Sequence, residues 1–185
     1  MLSHIFINLP TLETERLILR KLEYSDRDDI FEYAKNPEVA KYVLWEAHKS
    51  EIDTIEFLNL IYESYNKNEA APWGIQLKES LKIIGSVGFV NWNKDNNSAE
   101  IGFVLSQKFW NKGYISEAVN EVIKFGFDNM QLNKIIARCK PENISSEKVL
   151  LKSGMEFIGI LNENLIIKGE LCDMKLFEIY NRKLK

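Results

Sequence analysis

A short stretch in the second half of the chain, Phe109–Ala118, combines residue types that suit the binding of an anion. It reads FWNKGYISEA, with one glycine among aromatic and basic residues and a helical apolar rhythm directly after it. The first turn of a helix leaves backbone N–H groups without intrahelical partners, and the aligned peptide dipoles add roughly half a positive charge there. Gly113 has no Cβ to obstruct a phosphate, and Lys108 and Lys112 add local positive charge. The stretch therefore suits a phosphate or a pyrophosphate.

An ordinary strand-to-helix turn with a solvated lysine would use the same residues. The stretch is neither a GxxxxGK[ST] phosphate loop nor a GxGxxG dinucleotide motif. One glycine does not decide between the two interpretations, so the decision depends on the elements around it.

Those elements alternate between helical and strand patterns along the whole chain. Short runs rich in branched and aromatic residues predict strands over residues 16–22, 73–77, 82–92, 99–105, 134–140, 156–161 and 172–181. Apolar spacing of three and four predicts helices over residues 25–36, 37–43, 51–66, 115–130 and 145–153. Ser50 and Asp53 form a capping-box pattern for the third of these, and Gly154 suits the end of the last. Strand–helix–strand units beside a three-strand meander predict a mixed sheet with helices on both faces.

Composition limits the classes of partner and chemistry. The chain has 185 residues, 45% of them apolar, which suits a single domain spanning residues 1–185 with one well-filled core. Its 24 basic and 27 acidic residues give a net charge of −3, so we expect no direct nucleic-acid partner. We also expect no membrane partner, because the start lacks a basic leader and no apolar run reaches the length of a span.

Cysteine and histidine usage indicates a reduced, cytoplasmic protein without a catalytic metal. The two cysteines, Cys139 and Cys172, lie far apart and form no CxxC pair. The two histidines, His4 and His48, are too few and too isolated for a histidine-based metal site.

Two separated segments of the chain resemble one known family. The string AEIGFVLSQKFWNKGYISEAVNEVIKFGF and the later NKIIARCKPENISSEKVLLKSGMEFIG are similar to the acetyl-CoA-binding core of the GNAT acetyltransferase superfamily. The segment LETERLILRKLEYSDRDDIFEYAKNPEVAKYV resembles the branch that includes the ribosomal-protein-alanine N-acetyltransferases. The resemblance covers nearly the whole chain. It implies an α/β (α+β mixed) fold, with a mostly antiparallel, twisted mixed sheet of about seven strands flanked by about four helices.

The resemblance also implies which residues bind acetyl-CoA as cosubstrate. The family's pyrophosphate loop falls on residues 110–115, and its pantetheine-pairing strand on residues 103–105. The family's Asn-x-x-Ser signature matches Asn143 and Ser146. The loop departs from the family pattern at Ile115, where a β-branched side chain could crowd the diphosphate. The expected coenzyme-binding residues are Phe103, Val104, Leu105, Trp110, Asn111, Lys112, Gly113, Tyr114, Ile115, Ser116, Asn143 and Ser146.

Acetyl transfer to an amine requires a group that takes a proton and a group that gives one to the departing thiolate. Glu100, on the strand before the loop, is the candidate base, although a glutamate facing solvent would look the same in the sequence. The resemblance makes Ser146 the candidate acid, in competition with a helix-capping role for Ser145 or Ser146. Many GNAT enzymes carry a tyrosine that acts as the general acid at the position of Leu150 in this chain. Its absence leaves Tyr114 and Tyr180 as alternatives to Ser146 for the general acid.

The acceptor is expected to be a primary amine, possibly a protein N-terminus. Reference pKa values leave about one in six α-amino groups neutral at pH 7, against about one in 2500 lysine side chains. Trp45 and His48, in a predicted loop between helices, are candidate acceptor contacts together with Glu100. A small amine (polyamine, aminoglycoside or amino acid) and a non-catalytic acyl-CoA-binding module are the alternatives, and the chain is expected to be a monomer or a homodimer.

Overall fold

The computed structural model describes residues 4–184, apart from the side chains of residues 164 and 184, and shows one eight-stranded sheet in this range. The strands are β1 Leu12–Glu13, β2 Leu17–Arg20, β3 Pro72–Leu77, β4 Ile83–Asn93, β5 Ser98–Leu105, β6 Lys134–Cys139, β7 Glu156–Ile167 and β8 Glu170–Tyr180. The α-helices are α1 Arg27–Ala34, α2 Pro37–Ala40, α3 Glu51–Lys67, α4 Tyr114–Asp128 and α5 Ile144–Lys152.

The strand order in the sheet is β1-β2-β3-β4-β5-β6-β8-β7. Neighbouring strands are antiparallel at every position in this order except between β5 and β6, which run parallel. The predicted mostly antiparallel mixed sheet is therefore confirmed. The counts differ slightly from the expected ones because β1 has only two residues and α2 only four.

Helices cover both faces of the sheet, as predicted, and neighbouring residues of β4 show this. Ile84 belongs to a large apolar cluster that includes Val119 of α4, whereas Ile83 belongs to a smaller one with Ile30 of α1 and Leu58 of α3. Because successive side chains of a strand point to opposite faces, the two clusters lie on opposite sides of the sheet. We call the side that carries α1 and α3 the α1 face.

Local signals in the sequence explain where the helices begin. Ser50 and Asp53 form the predicted capping box of α3, with each side chain accepting a bond from the other's backbone N–H. α5 is capped by Asn143, whose side chain accepts a bond from the backbone N–H of Ser146, so neither Ser145 nor Ser146 is its N-cap. Gly154 follows α5 with φ +81°, a conformation that favours glycine.

No helix among residues 4–184 has the length and apolar character that crossing a bilayer requires.

Candidate active site

Strands β5 and β6 part midway along their length. Their parallel ladder joins Ser98 to Lys134, Ala99 to Ile135 and Glu100 to Ile136, and it stops there although both strands continue. Within the described residues, the β6-facing edge of residues 101–105 therefore has no strand partner. We call this opening the fork. An extended ligand with amide groups can lie along this edge like an added strand.

Two helix N-termini flank the open end of the fork. The carboxyl ends of parallel strands meet at one edge of a sheet, and here each leads into a helix, β5 into α4 and β6 into α5. Both helices begin at this edge, so their N-terminal turns, which carry the positive ends of the helix dipoles, lie beside the open end of the fork. An anionic group at the open end of the fork is therefore electrostatically favoured.

The predicted pyrophosphate loop connects β5 to α4 and has an unusual backbone. The indole Nε1 of Trp110 donates to the carbonyl of Leu105 at 2.8 Å, which folds the loop back on the end of β5. Asn111 and Gly113 both have positive φ, 59° and 82°. Gly113 is the N-cap of α4, so the glycine stands where the helix exposes its first amides.

The side chains at the start of α4 are directed to different surroundings. Ile115 is half-buried and packs against the large apolar cluster on the α4 side of the sheet. Of the two lysines expected to supply charge, Lys108 is paired with Glu32, and the ammonium of Lys112 lies 5.5 Å from the ring centroid of Phe109.

Ion pairs line the sheet on the α1 face where the fork begins. The guanidinium of Arg138 donates to both carboxylate oxygens of Glu100, at 2.9 and 2.7 Å. On β8, the neighbour of β6, Glu178 lies opposite Ile136. Its carboxylate accepts from the ammonium of Lys134 at 2.7 Å and from the hydroxyl of Tyr180 at 2.8 Å. The hydrogen bond to Glu100 raises the pKa of Arg138 although burial opposes it.

These contacts separate the candidate acids and bases. Glu100 stands at the last paired row of β5, where the fork starts, and its side chain is 12% exposed. Tyr180 pairs with Lys134, two rows back into the closed part of the sheet. Tyr114 is stacked under the guanidinium of Arg16, 4.3 Å from ring centroid to Cζ. The structure therefore brings Glu100 to the fork and leaves Tyr180 outside its open part.

Helix α5 places the remaining predicted residues on the β6 side of the fork. Asn143 and Ser146 occupy its first turn, and both are half-buried. Leu150, at the position where the resemblance would place a tyrosine, is 1% exposed and belongs to the large apolar cluster.

Trp45 and His48 line a cavity of about 30 Å³ on the α1 face, with Tyr33, Phe57, Ser86 and Val104. His48 Nδ1 lies 2.8 Å from the hydroxyl of Thr54, and burial lowers the pKa of His48 although Asp53 opposes this. Val104 and Glu100 are four residues apart on β5, about 13 Å at the usual rise per residue. Trp45 and His48 thus lie near Val104, on the part of β5 that borders the fork, and away from Glu100.

A lysine in the β7–β8 turn connects the two sides of the fork. Lys168 donates to the carbonyl of Ala40 in α2 at 2.9 Å and lies 3.6 Å from the carboxylate of Glu46. Strand β8 lies beside β6, whereas α2 follows α1 on the β4 side. The contact therefore bridges the open end of the fork on the α1 face.

Sequence reasoning missed several polar residues at this site. Arg138 lies 38 residues from Glu100 in sequence, and only the pairing of β5 with β6 brings them together. Tyr33 is buried beside Ser86, and burial raises the pKa of its hydroxyl although the hydrogen bond to Ser86 opposes this. In the described part of the chain, no three His, Cys, Asp or Glu residues form a group that could hold a metal ion.

Comparisons with known proteins agree with this geometry. Residues 16–156 match the model of the acetyltransferase (GNAT) domain family. An N-acetyltransferase of Bacillus licheniformis designated p20 is 35% identical, with 95% of this chain and 98% of the relative covered. The [ribosomal protein uS5]-alanine N-acetyltransferase of Escherichia coli is 26% identical, with 88% and 86% covered.

A solved structure shows the same fold along nearly the whole chain. The GNAT-family acetyltransferase from Bacillus anthracis superposes with a TM-score of 0.82 at 31% identity, covering 93% of this chain and 99% of that one. The family match and this superposition agree with the fold that the resemblance implies. This chain therefore belongs to the GNAT acetyltransferase family and is an acetyl-CoA-dependent N-acetyltransferase.

Proposed function

We propose that this N-acetyltransferase acetylates the α-amino group of a protein or peptide N-terminus. The observation that carries the proposal is the position and pairing of Glu100, which stands at the start of the fork with both oxygens accepting from Arg138. A carboxylate paired in this way can still accept a further hydrogen bond, but its negative charge is compensated. Such a group suits an acceptor that is already partly neutral at pH 7, which an α-amino group is and a lysine side chain is not.

The charges around Glu100 favour the same acceptor over a polycation. On the α1 face of β5, β6 and β8, Glu100 pairs with Arg138 and Glu178 pairs with Lys134. These two acids are thus compensated by two bases, whereas a polyamine or aminoglycoside site is expected to carry acids in excess. The Escherichia coli relative named for an alanine of ribosomal protein uS5 adds support for an N-terminal acceptor.

The residues around the fork fit the coenzyme that this activity requires. Acetyl-CoA supplies the acetyl group as a thioester, and its thiol needs a proton as it leaves. In our proposal, the edge of Phe103, Val104 and Leu105 that has no strand partner pairs with the pantetheine amides. The loop of residues 110–116 binds the pyrophosphate with its backbone amides.

In the same proposal, the residues on either side of the fork divide the remaining work. Glu100 accepts the acceptor's proton directly or through a water, and Ser146 donates toward the sulfur. Asn143 contacts the pantetheine arm, and Trp45 and His48 contact the acceptor chain. Both cysteines are free thiols, which supports a cytoplasmic location for the enzyme.

The test compares three acceptors that offer different amines. The first is a peptide with a free N-terminus and no lysine, the second is the same peptide N-terminally blocked and carrying one lysine, and the third is spermidine. Mass spectrometry locates the acetyl group, and thiol release measures kcat/KM. We expect kcat/KM for the free N-terminus to exceed the other two at least about tenfold, since the neutral fractions differ far more than that. Equal or higher kcat/KM with the blocked peptide or with spermidine would refute the proposal.

A further inference from the structure

The first turn of α4 is tied to the β1–β2 turn by a single carboxylate. Glu117 Oε1 accepts from the hydroxyl of Thr14 at 2.5 Å and from the backbone N–H of Arg16 at 2.9 Å. Its Oε2 accepts from Arg16 Nε at 2.7 Å and lies 2.6 Å from Arg16 Nη2. Segments about 100 residues apart in sequence are thus joined at the start of the helix that follows the pyrophosphate loop.

The guanidinium of Arg16 also contacts the loop itself. Its Nη1 donates to the carbonyl of Lys112 at 3.0 Å, and its Cζ lies 4.3 Å from the ring centroid of Tyr114. A Cβ at Gly113 would stand 3.4 Å from Nη2. One side chain therefore touches or closely approaches three consecutive residues of the loop.

These contacts determine where the loop directs its amides. The C=O of one residue and the N–H of the next point in opposite directions across a trans peptide bond. Because the carbonyl of Lys112 points at Arg16, the N–H of Gly113 points away from it. Arg16 thereby fixes the orientation of this peptide, which follows Asn111, a non-glycine residue whose positive φ of 59° carries a conformational cost.

The ion pair also removes an electrostatic obstacle. A carboxylate in the first turn of a helix occupies the same positive dipole end that a phosphate would use. Burial raises the pKa of Glu117, but hydrogen bonds from Thr14 and Arg16 and the guanidinium charge outweigh this and leave the pKa below its ordinary value. Glu117 is therefore ionised at neutral pH, and Arg16 compensates its charge.

We propose that Thr14, Arg16 and Glu117 form a brace that holds the pyrophosphate loop in its coenzyme-binding conformation, with Arg16 as a positioning residue. The inference rests on the proposed role of the loop in coenzyme binding. Arg16 acts through the loop backbone, so its effect is confined to ligands that carry a diphosphate.

The test combines binding and turnover on two thioesters. Calorimetry gives the Kd of coenzyme A, and initial rates give KM and kcat for acetyl-CoA and for S-acetyl-pantetheine, which lacks the diphosphate. For Arg16→Gln we expect the Kd of coenzyme A and the KM for acetyl-CoA to rise about tenfold or more, since charge-assisted hydrogen bonds are lost. We expect kcat at saturating acetyl-CoA, and KM for S-acetyl-pantetheine, to stay near the wild-type values.

A second variant separates positioning from simple charge attraction. Glu117→Ala removes a negative charge beside the anion, so charge attraction alone would tighten coenzyme binding. If the brace positions the loop, Glu117→Ala binds coenzyme A more weakly instead. The double variant of Arg16→Gln and Glu117→Ala then binds no more weakly than the weaker-binding of the two single variants. The matched control is Arg20→Gln, which breaks the bidentate pair between Arg20, at the end of β2, and Asp26, just before α1, and we expect it to leave the Kd of coenzyme A unchanged.

Each outcome has one meaning. If the wild-type protein does not bind coenzyme A, the proposed function fails and the brace with it. If the wild type binds but Arg16→Gln binds equally well, only the brace is overturned. Tighter binding by Glu117→Ala, or an equal rise in KM for both thioesters, would also overturn it.

Discussion

Replacing Glu100 by glutamine separates a catalytic carboxylate from a structural one, because the chain offers a closely matched control. Glu100 and Glu178 are both 12% exposed, and both are held in ion pairs on the same face of the sheet, by Arg138 and Lys134 respectively. Glu178 lies directly opposite Ile136, the residue that pairs with Glu100. The two side chains differ chiefly in position. Glu100 lies on β5, which borders the fork, whereas Glu178 lies on β8, which does not.

Both variants are expected to lose a similar amount of stability. Each leaves a partly buried cation without its carboxylate, which costs about 1–3 kcal/mol at this degree of exposure. In a chain of this length that amount lowers Tm by about 2–4 °C per kcal/mol. Thermal unfolding of Glu100→Gln and Glu178→Gln measures this loss and shows that both proteins fold.

Their activities are expected to diverge. Loss of a general base lowers kcat by about 10²–10⁴-fold, so Glu100→Gln falls by that factor with an N-terminal peptide as acceptor. Glu178→Gln keeps kcat within about threefold of the wild type, since in this account the residue takes no part in proton transfer. The Kd of coenzyme A stays unchanged in both. Equal losses of kcat in the two variants would refute the assignment of Glu100, because stability alone would then explain the effect.

Three further predictions concern the loop, the brace and the bridge across the fork. Gly113→Glu places a carboxylate in the loop at a backbone φ of 82°, so it should abolish binding of coenzyme A in calorimetry while the protein still folds, and normal binding would contradict the loop assignment. Because hydrogen bonds hold the pKa of Glu117 below its ordinary value of 4.5, its stabilisation is complete above that pH and is lost as pH falls through the lower folded-state pKa. Glu117→Ala should therefore lose less stability than the wild type as pH falls below 4.5 in denaturant titrations, and parallel losses would contradict the pKa shift. Lys168→Met removes the bond to the carbonyl of Ala40 and should change the KM for the acceptor while the Kd of coenzyme A stays constant, whereas a change in the Kd alone would place the bridge at the coenzyme.

Elements whose signals are local could be predicted from the sequence. The capping box of Ser50 and Asp53 starts α3 where expected, and Gly113 introduces α4 at the predicted position. Strand β1 was missed because a two-residue strand is defined only by its pairing with β2. Strand β7 continues to Ile167, beyond the predicted residue 161, because residues 165–167 pair with β8 again after a register shift that follows Leu161.

The contacts of the site depend on which strands become neighbours, and the sequence alone does not state this. The pair of Glu100 with Arg138 requires β6 to lie beside β5, and the brace requires α4 to begin beside the β1–β2 turn. Arg16 lies within a segment that the resemblance already included, but nothing in its spacing pointed to Glu117. Sequence motifs thus predicted the loop before α4 as a coenzyme site, while the side chains that contact this loop needed the three-dimensional arrangement.

A thermal-shift titration with acetyl-CoA, with coenzyme A alongside, tests most directly that the fork and its loop form a coenzyme site. At about a hundredfold excess over Kd, binding stabilises the folded protein by about 2.7 kcal/mol. For a chain of 185 residues this predicts a rise in Tm of about 5–10 °C. A rise of this size that disappears in Gly113→Glu would agree with the account. No rise at millimolar coenzyme would contradict it.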